Sequence, residues 1–328
     1  EKDALNLVAW NIRKGLVKHK TELVELLRSA NVGVCFATET DTTNYSEGST
    51  YQIDGFNTLY PIIKEDDKTR ILSFVKDNIT HHIRRDLMSD AIATIWIEII
   101  KPDGGKILIC GHYREWDHSG EKSVEDQLQR IRVLIEQVER AVKETRHVII
   151  IGDMNMCSKK WDNPDYRIKT VTDEWRSAIA RCGIEQFDVG DTWTADHPSK
   201  DGTFPTSSID HIYGSNPDVI LEYGQLSNSC TDHAPIFALV KVGKIKRTTK
   251  TTTIEKRCFK SFSDLKFRND VCGMPWEKLG LETDVNCMVE HYEKFVTDAL
   301  DQQAPIKRIR IRQNYRPGLS KETKAMMA

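Results

Sequence analysis

Residues 148–156 read VIIIGDMNM. Val148, Ile149, Ile150 and Ile151 form an uninterrupted β-branched run, the composition of a strand covered on both faces rather than one with a solvent side. Such a strand belongs in the middle of a sheet, with further layers above and below it. It ends abruptly in Gly152, with Asp153 and Asn155 at its tip. A lone Gly-Asp after a strand is ordinarily a turn or a helix cap. The tip therefore acquires meaning only from what the other strand ends carry.

Seven further runs in the first 240 residues read as strands: LNLVAWNI (5–12), VGVCFA (32–37), ILSFVK (71–76), AIATIWIEII (91–100), KILICGHY (106–113), SSIDHIYGS (207–215) and APIFALVKV (234–242). Helical period appears in TELVELLRSA (21–30), where Leu23, Leu26 and Leu27 share a face. It appears again in 123–145, where Leu128, Ile131, Ile135, Val138 and Val142 recur at three and four residues behind a Ser123/Asp126 N-cap. Strands and helices of these lengths must cover one another. The expected architecture is α/β, with two mixed β-sheets packed face to face and helices on their outer sides.

The chain has 328 residues and a formal net charge of −2, which hides an asymmetry. Residues 1–240 hold 28 Lys+Arg against 38 Asp+Glu, while 241–328 hold 19 against 11. The expected organisation is a catalytic-type domain over 1–242, a basic Thr-rich stretch over 243–257 that is a linker or an exposed strand, and a small, mostly helical extension over 258–328. In the last, Val285, Met288, Val289, Tyr292, Phe295 and Leu300 make one apolar stripe closed by Pro305. The eight cysteines lie apart, with no zinc-type spacing. The longest apolar run, 91–100, is about half a membrane span and contains Glu98. A soluble intracellular protein is expected, with no membrane partner and no sign of an oligomer.

Strand ends are where a rigid scaffold presents reactive groups. Six of them carry Asn11, Glu39, Tyr113 with Arg114, Asp153 with Asn155, Asp210, and Asp232 with His233. Each alone has an ordinary explanation in capping, solvation or packing. Together they offer four carboxylates, two amides, an imidazole and a phenol, and convergence of that many acids calls for a cation. Hard oxygen donors without thiolates or several imidazoles suit Mg²⁺, with Mn²⁺ as a substitute, rather than zinc. An oriented water, charge neutralisation and help for a leaving oxygen are what phosphodiester hydrolysis requires.

In their order, WNIR (10–13), TET (38–40), HYRE (112–115), GDMN (152–155), SSIDHIY (207–213) and TDHAPI (231–236) resemble the endonuclease/exonuclease/phosphatase superfamily with its deoxyribonuclease I-like fold. Within it, the chain is most similar to the apurinic/apyrimidinic-type endonuclease domains of non-LTR retrotransposons. The resemblance covers about residues 4–242 and implies a four-layered α/β sandwich with the site at one end of the two sheets. It implies Glu39 as principal metal ligand, with Asn11 and Asp232 near the metal or its waters. Asp153 would align and deprotonate the attacking water and Asn155 would orient it. His233, held by Asp210, would donate to the scissile phosphate, which Tyr113 would also touch.

Two positions depart from that pattern. Trp116 stands where the apurinic enzymes commonly have asparagine, and Thr231 replaces a common serine, keeping the hydroxyl. Arg114 supplies either a phosphate contact, with Thr231 beside it, or a salt bridge to Glu115 or Asp117. Nicking of ordinary duplex DNA is therefore favoured over abasic-site cleavage. The basic residues Arg13, Lys14, Lys18, Lys159, Lys160 and Arg167, together with KIKR (244–247) and IKRIRIR (306–312), are candidates for backbone phosphate contact. Trp10, Trp116 and Trp161 are candidates for base stacking, with core packing the better reading for Trp10. Segments 259–279, 289–312 and 315–327 resemble the connector that leads into reverse transcriptase in retrotransposon polyproteins. The expected setting is thus a fragment or truncated copy, acting in the nucleus on double-stranded DNA, with element RNA reached through the full polyprotein. The competing readings are a phosphatase or other phosphodiesterase of the same fold, and a non-catalytic mobile-element remnant.

Overall fold

The computed structural model describes residues 4–13, 15–42, 51–64, 67–101, 104–115, 123–227, 230–243 and 251–312. Lys14, Trp116, Asp117, residues 244–250 and the segment 315–327 lie outside the described residues. The chain divides into two compact units, Glu1–Thr248 and Thr249–Ala328.

In chain order the first unit begins β1 (Ala4–Asn11), α1 (Lys20–Ser29), β2 (Val34–Thr42), β3 (Phe56–Leu59) and β4 (Thr69–Lys76). It continues through β5 (His81–Ile83), β6 (Ala93–Ile100), β7 (Lys106–Tyr113), α2 (Val124–Glu144) and β8 (Val148–Asp153). After α3 (Lys169–Arg181) come β9 (Glu185–Phe187), β10 (Trp193–Thr194), β11 (Thr206–Ser207), β12 (Asp210–Gly214), β13 (Ile220–Gln225) and β14 (Ile236–Lys241).

These strands make two six-stranded sheets, ordered β13-β14-β1-β2-β4-β3 and β5-β6-β7-β8-β12-β9. Each sheet contains one parallel pair, β1 with β2 and β7 with β8, among antiparallel neighbours. Both sheets are therefore mixed, as expected.

Alternation along β1 explains the layering. Leu5, Leu7 and Ala9 enter the large core that spans both sheets, while Val8 and Trp10 join Leu23 and Leu27 of α1 on the other side. On the second sheet Thr94 Oγ1 and Trp96 Nε1, two residues apart on β6, both donate to Gln137 of α2. That is the outer face of this sheet, and α2 covers it. The α2 N-terminus carries the expected capping box, Ser123 and Asp126 each bonding the other's backbone N–H. Helix, sheet, sheet and helix give four layers. Every residue of β8 is buried, which is why its apolar run does not alternate.

Sequence patterning finds the long strands but not β3, β5, β9, β10, β11 or β13, nor α3. The missed strands are two to six residues long and mostly half-exposed, so their apolar signal is weak. Helix α3 is anchored by Val171, Trp175, Ala178 and Ile179, a helical spacing present in the sequence but diluted by charged neighbours.

The second unit comprises β15 (Thr251–Arg257), α4 (Asp264–Cys272), α5 (Glu277–Leu281), α6 (Val285–Gln303) and β16 (Ile306–Arg312). Residues 251–257, expected as a linker or an exposed strand, form a strand, and IKRIRIR is its antiparallel partner, registered from Thr251↔Arg312 to Arg257↔Ile306. Thr and Ile are β-branched, so both segments favour extended backbone once each has a neighbour to complete its hydrogen bonds. The α6 stripe is only partly used. Tyr292 and Phe295 pack on Trp276, while Val285 and Val289 are exposed.

The spacing of the two sheets is set where Phe36 lies over Gly111. A Cβ on Gly111 would stand 1.9 Å from Phe36 Cδ1. Gly111→Ala is expected to lower stability by about 1–3 kcal/mol through overpacking, read as a fall in the urea midpoint without change of slope. An unaltered midpoint would mean that Phe36 can withdraw freely.

Candidate active site

All six predicted strand ends meet at one edge of the sandwich. Parallel pairing brings the C-terminal ends of β1 and β2 together in one sheet and those of β7 and β8 in the other. Antiparallel β12 starts where β8 ends, with Asp210 in register with Asp153. Antiparallel β14 is reached just after Asp232 and His233, next to the end of β1.

Asn11 joins the two sheets. Its Nδ2 donates to Glu39 Oε1 at 2.9 Å on the first sheet and to Asp153 Oδ2 at 3.0 Å on the second. Glu39 occupies left-handed backbone at φ +53°, costly for a non-glycine residue. It lies in an irregularity where pairing jumps from Thr38↔Ile71 to Thr42↔Thr69, a bulge that re-aims the side chain. Tyr113 OH donates to Glu39 Oε1 at 3.1 Å. Burial, with the charges of Glu39 and Asp153, raises the phenol far above its ordinary value, so it stays a donor.

Asp153 is 1% exposed. Its Oδ1 accepts from Asn155 N at 2.8 Å and its Oδ2 from Asn155 Nδ2 at 3.3 Å. Burial first, then the nearby Asp210, pushes its carboxyl well above the usual carboxylate range, against the opposing pull of His233, Asn11 and the Asn155 amide. Asn155 is itself left-handed at φ +48°, a conformation asparagine tolerates. Gly152 has φ +146°, and a Cβ there would fall 2.0 Å from His112 O. The glycine admits the neighbouring strand.

Opposite lies the imidazole. His233 Nδ1 donates to Asp210 Oδ2 at 2.9 Å, and the same oxygen accepts from Thr192 Oγ1 at 2.7 Å. Burial alone would lower the His233 pKa, but the charge and hydrogen bond of Asp210, aided by Asp153 and Asp232, lift it to about 9. The ring is therefore an imidazolium at neutral pH.

Asp232 Oδ2 accepts from Trp193 Nε1 at 3.0 Å and lies 3.6 Å from Arg13 Nη1, whereas its buried Oδ1 has no hydrogen-bond partner among the described residues. An orphaned carboxylate oxygen, together with Glu39 and the charge-crowded Asp153, fits a divalent cation with hard-oxygen preference. Asp153, Asp210 and His233 also place one ligand atom each within 4.8 Å of one another. In that second grouping the imidazolium offsets one of the two carboxylates.

Three predicted residues take other places. Asn11 turns its nitrogen to the carboxylates and its oxygen to Arg13 N at 2.9 Å, so in this arrangement it bridges ligands instead of offering an oxygen. Arg114 is not at the phosphate face but 2% exposed, donating inward to the carbonyls of Met154 and Asn155 and to Gln127. Glu115 pairs with Arg70 and Arg130. Thr231 Oγ1 lies within hydrogen-bond reach of Asn11 O, His233 O and Trp10 Nε1, tying the His233 loop to β1.

Two of the candidate indoles and two of the candidate cations are engaged within the protein. Trp10 is core, as the better reading held, and Trp161 is buried against His211. Arg13 forms a two-oxygen salt bridge with Asp196, and Lys159 pairs with Asp191. Sequence reasoning missed Thr192, Trp193 and Gln127. The first two sit on or beside a two-residue strand, and the third is a polar residue on a helix face, so neither pattern marks them.

The profile of the Endonuclease/Exonuclease/phosphatase family matches residues 8–233. The endonuclease domain of TRAS1, a telomere-specific non-LTR retrotransposon, superposes with TM-score 0.54 at 16% identity, covering 73% of this chain and 99% of that one. The catalytic domain of APE2 from Xenopus laevis gives 0.58 at 16% identity, covering 74% and 94%. The AP endonuclease LMAP from Leishmania major gives 0.59 at 12% identity, covering 73% and 88%. At these identities the likeness is one of fold. No curated protein matches the sequence.

In metal-free protein, NMR titration of the ring protons is expected to place His233 near 9, and Asp210→Asn should lower it, because the charge and hydrogen bond that raise it most are lost while burial still opposes the smaller pull of Asp153 and Asp232. A raised histidine pKa means the pair stabilises the fold fully below about 6.5, and that contribution is lost as pH rises through about 9. A His233 pKa unmoved by Asp210→Asn would refute the pairing.

Proposed function

The chain belongs to the endonuclease/exonuclease/phosphatase family, and from that premise we propose that it is a divalent-metal-dependent DNA endonuclease nicking ordinary duplex DNA, as the target-cleaving part of a retrotransposon polyprotein. Members of the family hydrolyse phosphate esters. The observation that supports this reading most is the opposition of Asp153–Asn155 to Asp210–His233 across adjacent strands, with Asn11 linking both to Glu39.

The chemistry follows from the groups. Asp153 has a raised pKa, so it is a stronger base than an ordinary carboxylate, and it takes the proton of the attacking water. Asn155, fixed to Asp153 through both backbone and side chain, orients that water. The His233 imidazolium, held through Nδ1 by Asp210, donates its Nε2 proton to a phosphate oxygen, where negative charge grows in the transition state. Glu39, with Asp232 and Asp153 beside it, would hold Mg²⁺ or Mn²⁺. When bound, such an ion supplies charge neutralisation on the phosphate and the departing oxygen. Tyr113 steadies Glu39 through its hydroxyl.

The purified chain is expected to convert supercoiled plasmid to open circle with Mg²⁺ and to stop on addition of EDTA. Asp153→Asn should cut kcat by about 10²–10⁴-fold. It should leave the melting temperature unchanged or higher, because it removes the buried repulsion with Asp210. His233→Ala should lose nicking comparably. Full activity in either variant would defeat the proposal. Phosphate release from small phosphoesters without nicking would favour the phosphatase reading, and DNA binding without cleavage at any Mg²⁺ or Mn²⁺ concentration would favour the remnant.

A further inference from the structure

The GDMN turn has two left-handed or glycine-only positions, Gly152 and Asn155, and is tied within itself by the Asp153–Asn155 hydrogen bonds and to Ile209 O through Met154 N. Its two remaining carbonyls are held from below. Arg114 Nε donates to Met154 O at 2.6 Å and Nη2 to Asn155 O at 2.6 Å, so one edge of the guanidinium spans two consecutive carbonyls. Nη1 donates to Gln127 Oε1 on α2. The Arg114 backbone closes the same circuit, its N donating to Asp153 O at 2.9 Å and its O accepting from Asn155 Nδ2 at 2.7 Å.

We infer that Arg114 is a positioning residue, a buried clamp that fixes the Asp153–Asn155 turn on helix α2 and so sets the direction of the attacking water. The inference rests on the endonuclease reading above. Two consecutive carbonyls can face one side chain only because Asn155 is left-handed, so the clamp and the unusual backbone maintain each other. Only a planar fork has donors spaced for both carbonyls and a third for Gln127; lysine keeps the charge but is a single point donor. Because the guanidinium is 2% exposed and turned away from the site opening, DNA does not touch it.

Plasmid nicking and hydrogen exchange of wild type, Arg114→Lys and Gln127→Met test this. Arg114→Lys should lower kcat about 10²-fold, leave KM for DNA within about twofold, and speed amide exchange of 153–157 while β1 and β7 exchange as before. Gln127→Met, which keeps both carbonyl bonds, should show a smaller loss of the same kind, and it carries the test if Arg114→Lys melts early. A raised KM at unchanged kcat would mean a phosphate contact and overturn the clamp, as would unchanged kcat with unchanged exchange. Wild type that does not nick would defeat the endonuclease reading instead, leaving the exchange data to decide whether Arg114 holds the turn.

Discussion

The structure depends on one amide. Asn11 ends a strand of the first sheet, yet its nitrogen serves Glu39 on that sheet and Asp153 on the other. Two sheets packed about 10 Å apart have no backbone hydrogen bonds between them. At the site edge a polar side chain must therefore do what the apolar core does elsewhere, which is to keep the faces in fixed relation. Because its donors lie between two carboxylates, Asn11 also reduces the repulsion that crowding those acids creates.

That repulsion is the price of the site. Asp153 and Asp210 are in register on adjacent strands, both buried, and the raised pKa of Asp153 records the strain. The fold sustains it through opposite charge and rigidity. His233 carries a proton between the acids, Thr192 and Trp193 hold Asp210 and Asp232, and β8 has no exposed residue through which it could relax. In the proposed mechanism the same crowding makes the Asp153 carboxylate a stronger base than an ordinary one. Burial thus acts on stability and on chemistry with opposite signs.

The layers, the long strands, helices α1 and α2 and the six polar strand ends are legible in the residues. Strand period and unbroken apolar runs are local properties, and Asp153, Asp210, Glu39 and His233 stand at their ends. Arg114 shows where such reading stops. A cation there is expected either to contact phosphate or to pair with a neighbouring acid; its guanidinium turns inward, because the carbonyls left exposed by the left-handed Asn155 need donors that backbone cannot supply. Thr192 and Trp193 escape notice for a related reason. They act through partners 18 and 39 residues away, on a strand too short to have a period.

The sequence alone determined which segments are strands, which faces are apolar and which acids, amides and histidine lie at strand ends, since each follows from neighbours within a few residues. Tertiary structure decided the rest. Parallel pairing within each sheet and packing between them placed those ends at one edge, made Asn11 a bridge, and turned Arg114 under the GDMN turn. Hydrogen-bond partners far apart in the chain are chosen by whichever buried donors and acceptors the finished fold leaves unsatisfied, and that remainder exists only once the sheets have met.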